Sequence, residues 1–211
     1  MKVGVIDYGG GNIRSVLQAL RALGQDPQLV PGPDELSGLD SLVFPGQGAF
    51  GSCMDALRKR DLAHPVQDWI SSDRPFFGIC VGYQLLFQSS EESPGATGLG
   101  IFEGEVVRFP PTELKVPQMG WNSAHVEKSG SRYWQGLGED PYFYFVHSYY
   151  PAPTDSSIVA TTTDFGLPYA SAVEKGNLIA TQFHPEKSQR AGLRLLANFL
   201  GVESASTAHV V

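Results

Sequence analysis

The first half of the chain alternates short apolar runs with amphipathic segments. The apolar runs have the length of buried strands and lie at 3–6, 28–30, 41–44 and 76–79. Apolar residues recur at three- and four-residue steps from 13 to 23, which predicts an amphipathic helix that ends at Gly24. Further helices are predicted at 54–60, 66–71 and 81–88. Strands and helices that alternate at this spacing favour a parallel sheet with both faces covered.

The second half has the composition of antiparallel strands. Val, Thr, Tyr and Phe are frequent at 104–109, 142–150, 157–163 and 169–183. The segment 174–177, Glu-Lys-Gly-Asn, stands between two alternating runs and predicts a hairpin turn. A last amphipathic helix is predicted at 189–200. We therefore predict an α/β fold with an open, mostly parallel sheet flanked by helices, and with added antiparallel strands in the second half.

Residues 1–201 are predicted to form a single domain. The chain has 211 residues without an internal repeat, a linker or a low-complexity segment, and this length suits one α/β domain. Hydrophobic residues make up 42% of the chain and charged residues 18%, which is enough apolar material for a core. Residues 202–211 are mostly small or polar, so we expect a flexible C-terminal tail there.

The acidic charge balance narrows the choice of partners. The formal net charge is −7 and no basic run is present, which argues against nucleic acid or an anionic membrane as partner. The two cysteines, Cys53 and Cys80, do not suggest a disulfide framework, and the first residues lack the pattern of a signal peptide. No stretch approaches the ~18 consecutive apolar residues of a membrane span. We expect a cytoplasmic protein.

The strongest chemical signal is a thiol in the setting of a nucleophile elbow. Gly78-Ile79-Cys80-Val81-Gly82 follows a predicted strand and opens a predicted helix. The glycines permit a sharp turn that lifts the sulfur out of the sheet and places it at a helix N-terminus, where the dipole favours the thiolate. The N–H of Val81 is then placed to donate to an oxyanion. The alternative interpretation is a small buried cysteine at the end of a sheet.

The second signal is the segment His184-Pro185-Glu186. A thiol nucleophile needs a base, and the base needs an acceptor that orients it. Pro185 favours an extended conformation at His184, and residues two apart in an extended chain project to the same side. His184 and Glu186 therefore form a candidate base and orienting carboxylate. The alternative is a histidine at a strand end beside a surface carboxylate.

The third signal is the turn Pro45-Gly46-Gln47-Gly48 at the carboxyl end of a predicted strand, where open α/β sheets build their sites. Glycines on both sides of Gln47 allow its peptide to turn either way, so an N–H at Gln47 or Gly48 can aim at an oxyanion. The alternative is a plain connection between a strand and a helix. His147 is a further candidate base, although its setting favours a structural or pocket-lining role. No His, Cys or Asp cluster has metal-ligand spacing, so we predict no metal.

These motifs resemble those of the class I, triad-type glutamine amidotransferases. The resemblance rests on the segment from Gly78 to Phe87 and on His184-Pro185-Glu186. Further matches single out the glutaminase subunits of imidazole glycerol phosphate synthase within that family. They lie at 6–9, 11–12, 119–122, 144–149 and 182–188. The resemblance extends from Met1 to about Leu200. It implies a flavodoxin-like sheet for the parallel part of the fold.

The resemblance also implies roles for individual residues. Cys80 would attack the carboxamide of glutamine to give a γ-glutamyl thioester and ammonia, with His184 as base and Glu186 as its orienting partner. The oxyanion donors and a gate are predicted, from the elbow and from the glycines of the turn, at Val81, Gln47 and Gly48. The substrate would be contacted by Gly46, Gln84, Ser148 and Tyr149.

The implied partner is the cyclase subunit of imidazole glycerol phosphate synthase. Ammonia would pass to it within a heterodimer, in histidine biosynthesis, and no cofactor is required. Asn12 and Trp121 are candidates for the interface, because they match the subfamily without an evident role in the triad. Two positions depart from the family pattern. Gln47 stands where a small apolar residue is expected, and Gln118 stands where a histidine is expected.

Three other functions compete with this hypothesis. Another class I glutaminase subunit, such as that of pyridoxal phosphate synthase, would keep the triad but not the segments 120–122 and 142–150. A catalytically silent binding subunit is disfavoured by the intact set of Cys80, His184 and Glu186. A free-standing γ-glutamyl peptidase would need no ammonia-accepting partner.

Overall fold

The computed structural model describes residues 1–111 and 113–203. Its helices are α1 (Ile13–Ala22), α2 (Phe50–Lys59), α3 (Ala63–Ser71), α4 (Val81–Gln84) and α5 (Gln189–Leu200). Its strands are β1 (Val3–Ile6), β2 (Gln28–Val30), β3 (Ser41–Phe44), β4 (Phe76–Ile79), β5 (Ser89–Ser90), β6 (Gly104–Arg108), β7 (Gln118–Ser123), β8 (His125–Val126), β9 (Tyr142–His147), β10 (Tyr149–Pro153), β11 (Val159–Asp164), β12 (Pro168–Lys175) and β13 (Leu178–Thr181). Short 3-10 turns lie at Pro33–Leu36, Arg132–Trp134, Ser156–Ile158 and Pro185–Lys187.

The main sheet has eight strands in the order β2-β1-β3-β4-β13-β12-β11-β8. Neighbouring strands run parallel from β2 to β13, and the remaining pairs are antiparallel. The α/β prediction with added antiparallel strands is therefore confirmed. The carboxyl ends of β1, β3, β4 and β13 share one edge of the sheet, which is where sites form in open α/β folds.

Two small sheets lie beside the main one. β10, β6 and β5 form the first, and the antiparallel pair β7 and β9 forms the second. The strand predicted at 142–150 is divided at Ser148, because β9 pairs with β7 whereas β10 pairs with β6. The prediction of one continuous strand was wrong here. The two halves of the segment find partners in different sheets.

The helix predicted at 81–88 is shorter than expected, since α4 ends at Gln84. The carbonyls of Leu85 and Leu86 accept hydrogen bonds from the segment 99–102 instead of from the next helical turn. Conversely, α2 begins a turn earlier than predicted. The N–H of Phe50 donates to Oε2 of Glu92 at 2.8 Å, and this distant carboxylate satisfies a donor that the first turn leaves free.

The helix α5 has the predicted bounds and ends at Gly201, which is left-handed with φ +64°. The N–H groups of Gly201 and Val202 bond back to Asn198 and Ala197, which closes the helix end. Residues 204–211 lie outside the described part of the chain, so the flexible tail stays a prediction. No helix in the described part is both long and apolar enough to cross a bilayer.

Candidate active site

Cys80 lies in a strained turn between β4 and α4. Its φ of +54° is unusual for a residue with a side chain, and such strain is found at nucleophile elbows. The two glycines of the motif make the turn possible. A β-carbon at Gly82 would collide with the carbonyl oxygen of Phe44 on β3, and one at Gly78 would lie 2.9 Å from the carbonyl oxygen of Gly82. The elbow is therefore packed too tightly for side chains at these positions.

The sulfur of Cys80 is buried among amide side chains. Nε2 of Gln182 lies 3.7 Å from Sγ, and Oε1 of Gln182 accepts a 3.1 Å hydrogen bond from Gln84. Gln84 also donates to the carbonyl of Tyr149 at 3.0 Å. Gln182 is a functional candidate that the sequence reading missed. It stands two residues before His184, so strand alternation was the signal that could have found it.

His184 and Glu186 form a buried pair behind the sulfur. Nδ1 of His184 lies 2.8 Å from Oε1 of Glu186, and their side chains are 2% and 0% exposed. The expected extended alternation across Pro185 is wrong in detail, because Pro185–Lys187 is a 3-10 turn. Only His184 is extended, with φ −101° and ψ 94°. Because of this turn, the carboxylate of Glu186 folds back toward the imidazole ring of His184.

The surroundings of His184 favour its protonated form. Burial lowers the pKa of its ring, but the charge and hydrogen bond of Cys80, followed by those of Glu186, outweigh burial and raise the pKa to about 10. His184 therefore bonds the carboxylate and interacts electrostatically with the sulfur, and both His184 and Cys80 line one cavity. Because Nδ1 faces Glu186, Nε2 is the ring nitrogen left to exchange a proton at the cavity.

The two interface candidates lie in different settings. Asn12 is part-buried, and its Nδ2 donates to Oε1 of Glu186 at 3.1 Å. Trp121 is 47% exposed on β7, beside Tyr144 of β9. Oε2 of Glu186 is buried and has no hydrogen-bond partner among the described residues. Asn12 thus contacts the carboxylate of the candidate triad directly, which sequence reading did not anticipate.

A cavity of about 150 Å³ connects the predicted site residues. It is lined by Gln47, Gly48, Cys80, Val81, Gln84, Glu92, Val146, His147, Ser148, Tyr149 and His184. Gly46 was predicted to contact the substrate but is not part of this lining. A β-carbon at Gly46 would collide with the N–H of Gly82 and lie 2.6 Å from the β-carbon of Val81. Gly46 therefore lets the turn approach the elbow.

The turn at Gln47 has its donor directed away from the cavity. The N–H of Gln47 donates to the hydroxyl of Tyr8 at 3.3 Å, and Tyr8 is not part of the cavity lining. The carbonyl of Gln47 accepts from Sγ of Cys53 at 3.6 Å. Gly48 follows with φ +119°, a conformation that favours glycine.

His147 is a neutral, buried side chain beside the cavity. Nδ1 lies 2.9 Å from the carbonyl of Tyr149, which can only accept, so Nδ1 carries the proton. Nε2 faces the hydroxyl of Tyr169, which also lies 2.8 Å from Oε1 of Gln118. Burial lowers the pKa of His147 to about 3. The predicted structural or pocket-lining role fits these contacts, and Gln118 joins the network at the position where a histidine was expected.

The free energy of unfolding is expected to fall as pH drops below about 6.5 because of His147. Below this pH, His147 binds a proton in the unfolded chain but not in the folded chain, because its pKa falls from the ordinary value of 6.5 to about 3 on folding. Stability from neutral His147 is thus complete above 6.5 and lost on acidification, with a slope of at most about 1.4 kcal/mol per pH unit. Urea titrations of wild type, His147→Gln and the control His125→Gln between about pH 6.5 and 5 test this. A slope in His147→Gln as steep as in wild type contradicts the assignment.

No group of three or more His, Cys, Asp or Glu side chains in residues 1–111 and 113–203 is arranged to hold a metal ion.

Comparison with known proteins agrees with this geometry. The family model described as "Glutamine amidotransferase class-I" matches residues 4–202. The chain is 45% identical over 196 residues to the imidazole glycerol phosphate synthase subunit HisH of Rhodopirellula baltica, covering 92% of this chain and 95% of that protein. It is 47% identical over 209 residues to the protein of the same name from Chromobacterium violaceum, covering 95% and 97%.

The solved structure of a glutamine amidotransferase has a similar fold. It matches with a TM-score of 0.74 over 95% of this chain and 98% of that chain, at 24% identity. The family model and the curated relatives confirm the resemblance that the motifs suggested. The chain belongs to the class-I glutamine amidotransferase family.

Proposed function

We propose that this chain is the glutaminase subunit of imidazole glycerol phosphate synthase, with Cys80, His184 and Glu186 as its triad. It hydrolyses glutamine to glutamate and ammonia and passes the ammonia to a cyclase subunit in histidine biosynthesis. The observation that carries the proposal is a cavity where the elbow thiol meets a buried His–Glu pair. Curated relatives that are about 45% identical over more than nine-tenths of the chain support the subfamily.

The first half of the reaction forms the thioester. The thiolate of Cys80 attacks the side-chain carbonyl carbon of glutamine, and the carbonyl oxygen takes the negative charge. The N–H of Val81, with a donor from the turn at Gln47 and Gly48, stabilises this oxyanion. When the tetrahedral intermediate collapses, the imidazolium of His184 gives its Nε2 proton to the departing nitrogen, so that ammonia leaves and the γ-glutamyl thioester remains.

The second half returns the enzyme to its starting state. Neutral His184 now accepts a proton from water, and the resulting hydroxide attacks the thioester carbon. The second tetrahedral intermediate expels the sulfur as thiolate and leaves glutamate, while His184 keeps the proton. Glu186 accepts a hydrogen bond from Nδ1–H of His184 throughout the cycle, which keeps Nε2 directed at the reacting atoms.

The cavity offers complementary groups for the two ends of glutamine. Gln84 donates to the carbonyl of Tyr149 at 3.0 Å, and Ser148 and Tyr149 line the same cavity as Cys80. We assign the α-carboxylate and α-ammonium groups to Ser148, Tyr149 and the carboxylate of Glu92, which lines the cavity. Gly46 supports the elbow through its close approach to Gly82 and Val81.

The partner docks, in this proposal, on the outer face of the pair β7 and β9. Met119, Trp121 and Tyr142 are 66%, 47% and 60% exposed, and they form an apolar patch of the kind that marks interaction sites. Trp121 pairs in register with Tyr144, whose ring lies 6.0 Å from Nζ of Lys187, next to Glu186. A partner seated there lies close to the triad. We place the enzyme in the cytoplasm, where buried free thiols such as Cys53 and Cys80 stay reduced.

Isolated chain is expected to hydrolyse glutamine slowly and to be stimulated by the cyclase subunit and its ligand. In the structure the N–H of Gln47 bonds to Tyr8 and is not available to an oxyanion. One missing oxyanion donor costs roughly 100- to 1000-fold in rate, so we expect stimulation of at least about 100-fold. Steady-state assays compare the chain alone, with cyclase, and with cyclase and ligand.

Equal rates in all three assays would contradict the coupled subunit and favour a constitutive hydrolase such as a peptidase. A catalytically silent subunit is tested separately. A glutamine-like electrophile adds mass to Cys80 if the thiol is reactive, and leaves Cys53 unmodified as the internal control.

A further inference from the structure

The backbone N–H and carbonyl of Gln47 are each hydrogen-bonded to a buried side chain that does not line the cavity. Its N–H donates to Tyr8 at 3.3 Å, and its carbonyl accepts from Cys53 at 3.6 Å. Tyr8 and Cys53 are also close enough to interact electrostatically. The two hydrogen bonds therefore fix both backbone polar groups of Gln47, its N–H through Tyr8 and its carbonyl through Cys53. Tyr8 and Cys53 are each 4% exposed, and neither is part of the cavity lining.

We propose that Tyr8 and Cys53 form a latch that keeps the N–H of Gln47 away from the oxyanion position until the partner docks. Tyr8 and Cys53 are positioning residues in this proposal, since they touch Gln47 and not the substrate. The proposal rests on the proposed function, because it concerns the donor that the glutaminase reaction needs.

The geometry supports a latch more than passive packing. A backbone N–H points in one direction, so the N–H of Gln47 cannot serve Tyr8 and an oxyanion together. The N–H of Gln47 belongs to the peptide that joins it to Gly46, and its carbonyl belongs to the peptide that joins it to Gly48. Each of the two peptides therefore has a glycine on one side, and Gly48 already has φ +119°, so rotation of this turn meets little backbone resistance. The thiol is a weak donor at a long distance, which makes its contact with the carbonyl of Gln47 easy to break. Burial raises the pKa of Tyr8, so its hydroxyl keeps its proton.

One loop connects the latch to Asn12, a candidate for the interface, and through it to Glu186. Tyr8 directly precedes Gly9, Gly10 and Gly11 in the loop after β1, and this loop ends at Asn12, which bonds Glu186. A β-carbon at Gly11 would lie 3.4 Å from the hydroxyl of Tyr8 and 3.5 Å from the carbonyl of Pro45. One loop therefore touches the latch, the oxyanion turn and the triad carboxylate. A partner that shifts this loop changes all three contacts.

The test uses Tyr8→Phe, which removes only the hydroxyl. We expect the kcat of the isolated chain to rise about fivefold, the change that corresponds to one neutral hydrogen bond of about 1 kcal/mol. The KM for glutamine and the rate with saturating cyclase and ligand stay at wild-type values, so the stimulation ratio falls about fivefold. Cys53→Ala shifts both quantities in the same direction by less, because the thiol is the weaker donor.

Tyr133→Phe is the matched control, because it removes a buried hydroxyl that bonds Arg132 away from the cavity. Its basal rate and stimulation ratio stay at wild-type values. The latch is contradicted if the cyclase stimulates wild type, but Tyr8→Phe and Cys53→Ala both have the basal rate and the stimulation ratio of wild type. If Tyr8→Phe does not fold, Cys53→Ala alone decides. Absence of any stimulation in wild type would instead overturn the proposed function.

Discussion

Glutamine hydrolysis is expected to fall by at least about 10⁴-fold when Cys80 is replaced by alanine, because nucleophile and base act as one unit. The reason lies in the elbow. Cys80 is the residue that φ +54° and the close packing of Gly78 and Gly82 direct into the cavity. Alanine fits the same backbone, so circular dichroism and thermal unfolding should match wild type closely. The measurement is glutamate production by the chain in complex with its cyclase partner.

The same variant carries its own control. Free ammonia bypasses the thiol, so the assembled Cys80→Ala enzyme should make cyclase product at the wild-type rate when an ammonium salt replaces glutamine. Cys53→Ala, at the other cysteine, should keep glutamine hydrolysis. Glutamate formation at the wild-type rate by Cys80→Ala would contradict the mechanism, and loss of the ammonia-dependent rate would show that the substitution damages assembly instead of chemistry.

His184→Ala is expected to lower kcat by about 100- to 10,000-fold, the usual effect of losing a general base. His184 bonds Glu186 and lines the cavity with Cys80, and no other histidine in residues 1–111 and 113–203 does both. His147→Ala should act on KM instead. His147 bonds the carbonyl of Tyr149, so its loss loosens the segment that holds the substrate.

The comparison is made on the stimulated complex, with kcat and KM measured separately for both variants. Glu186→Gln is a milder variant for comparison with His184→Ala. It keeps the size of the side chain but weakens the hydrogen bond that orients Nδ1 of His184. It should lower kcat less than His184→Ala does. Equal kcat losses in His184→Ala and His147→Ala would mean that the base is wrongly assigned.

The amino-acid sequence by itself determined the structural features that depend on residues close together in the chain. The strands before Asp7, Pro45 and Cys80 follow from apolar runs, and the structure has them at the predicted residues. The hairpin between β12 and β13 turns at Gly176, whose φ of +58° suits glycine. Cys80 could be recognised because an elbow needs glycines at fixed offsets, and those offsets are visible in sequence.

The tertiary structure alone decided which distant groups meet. Asn12 and Glu186 are 174 residues apart, Phe50 and Glu92 are 42 apart, and Gln47 and Tyr8 are 39 apart. No periodicity relates such pairs, because their contact depends on the order of strands in the sheet. The early end of α4 and the 3-10 turn that brings Glu186 to His184 have the same cause. In each case the backbone leaves the conformation that its local sequence favoured, because buried polar groups bond to the partner that the packed fold places beside them.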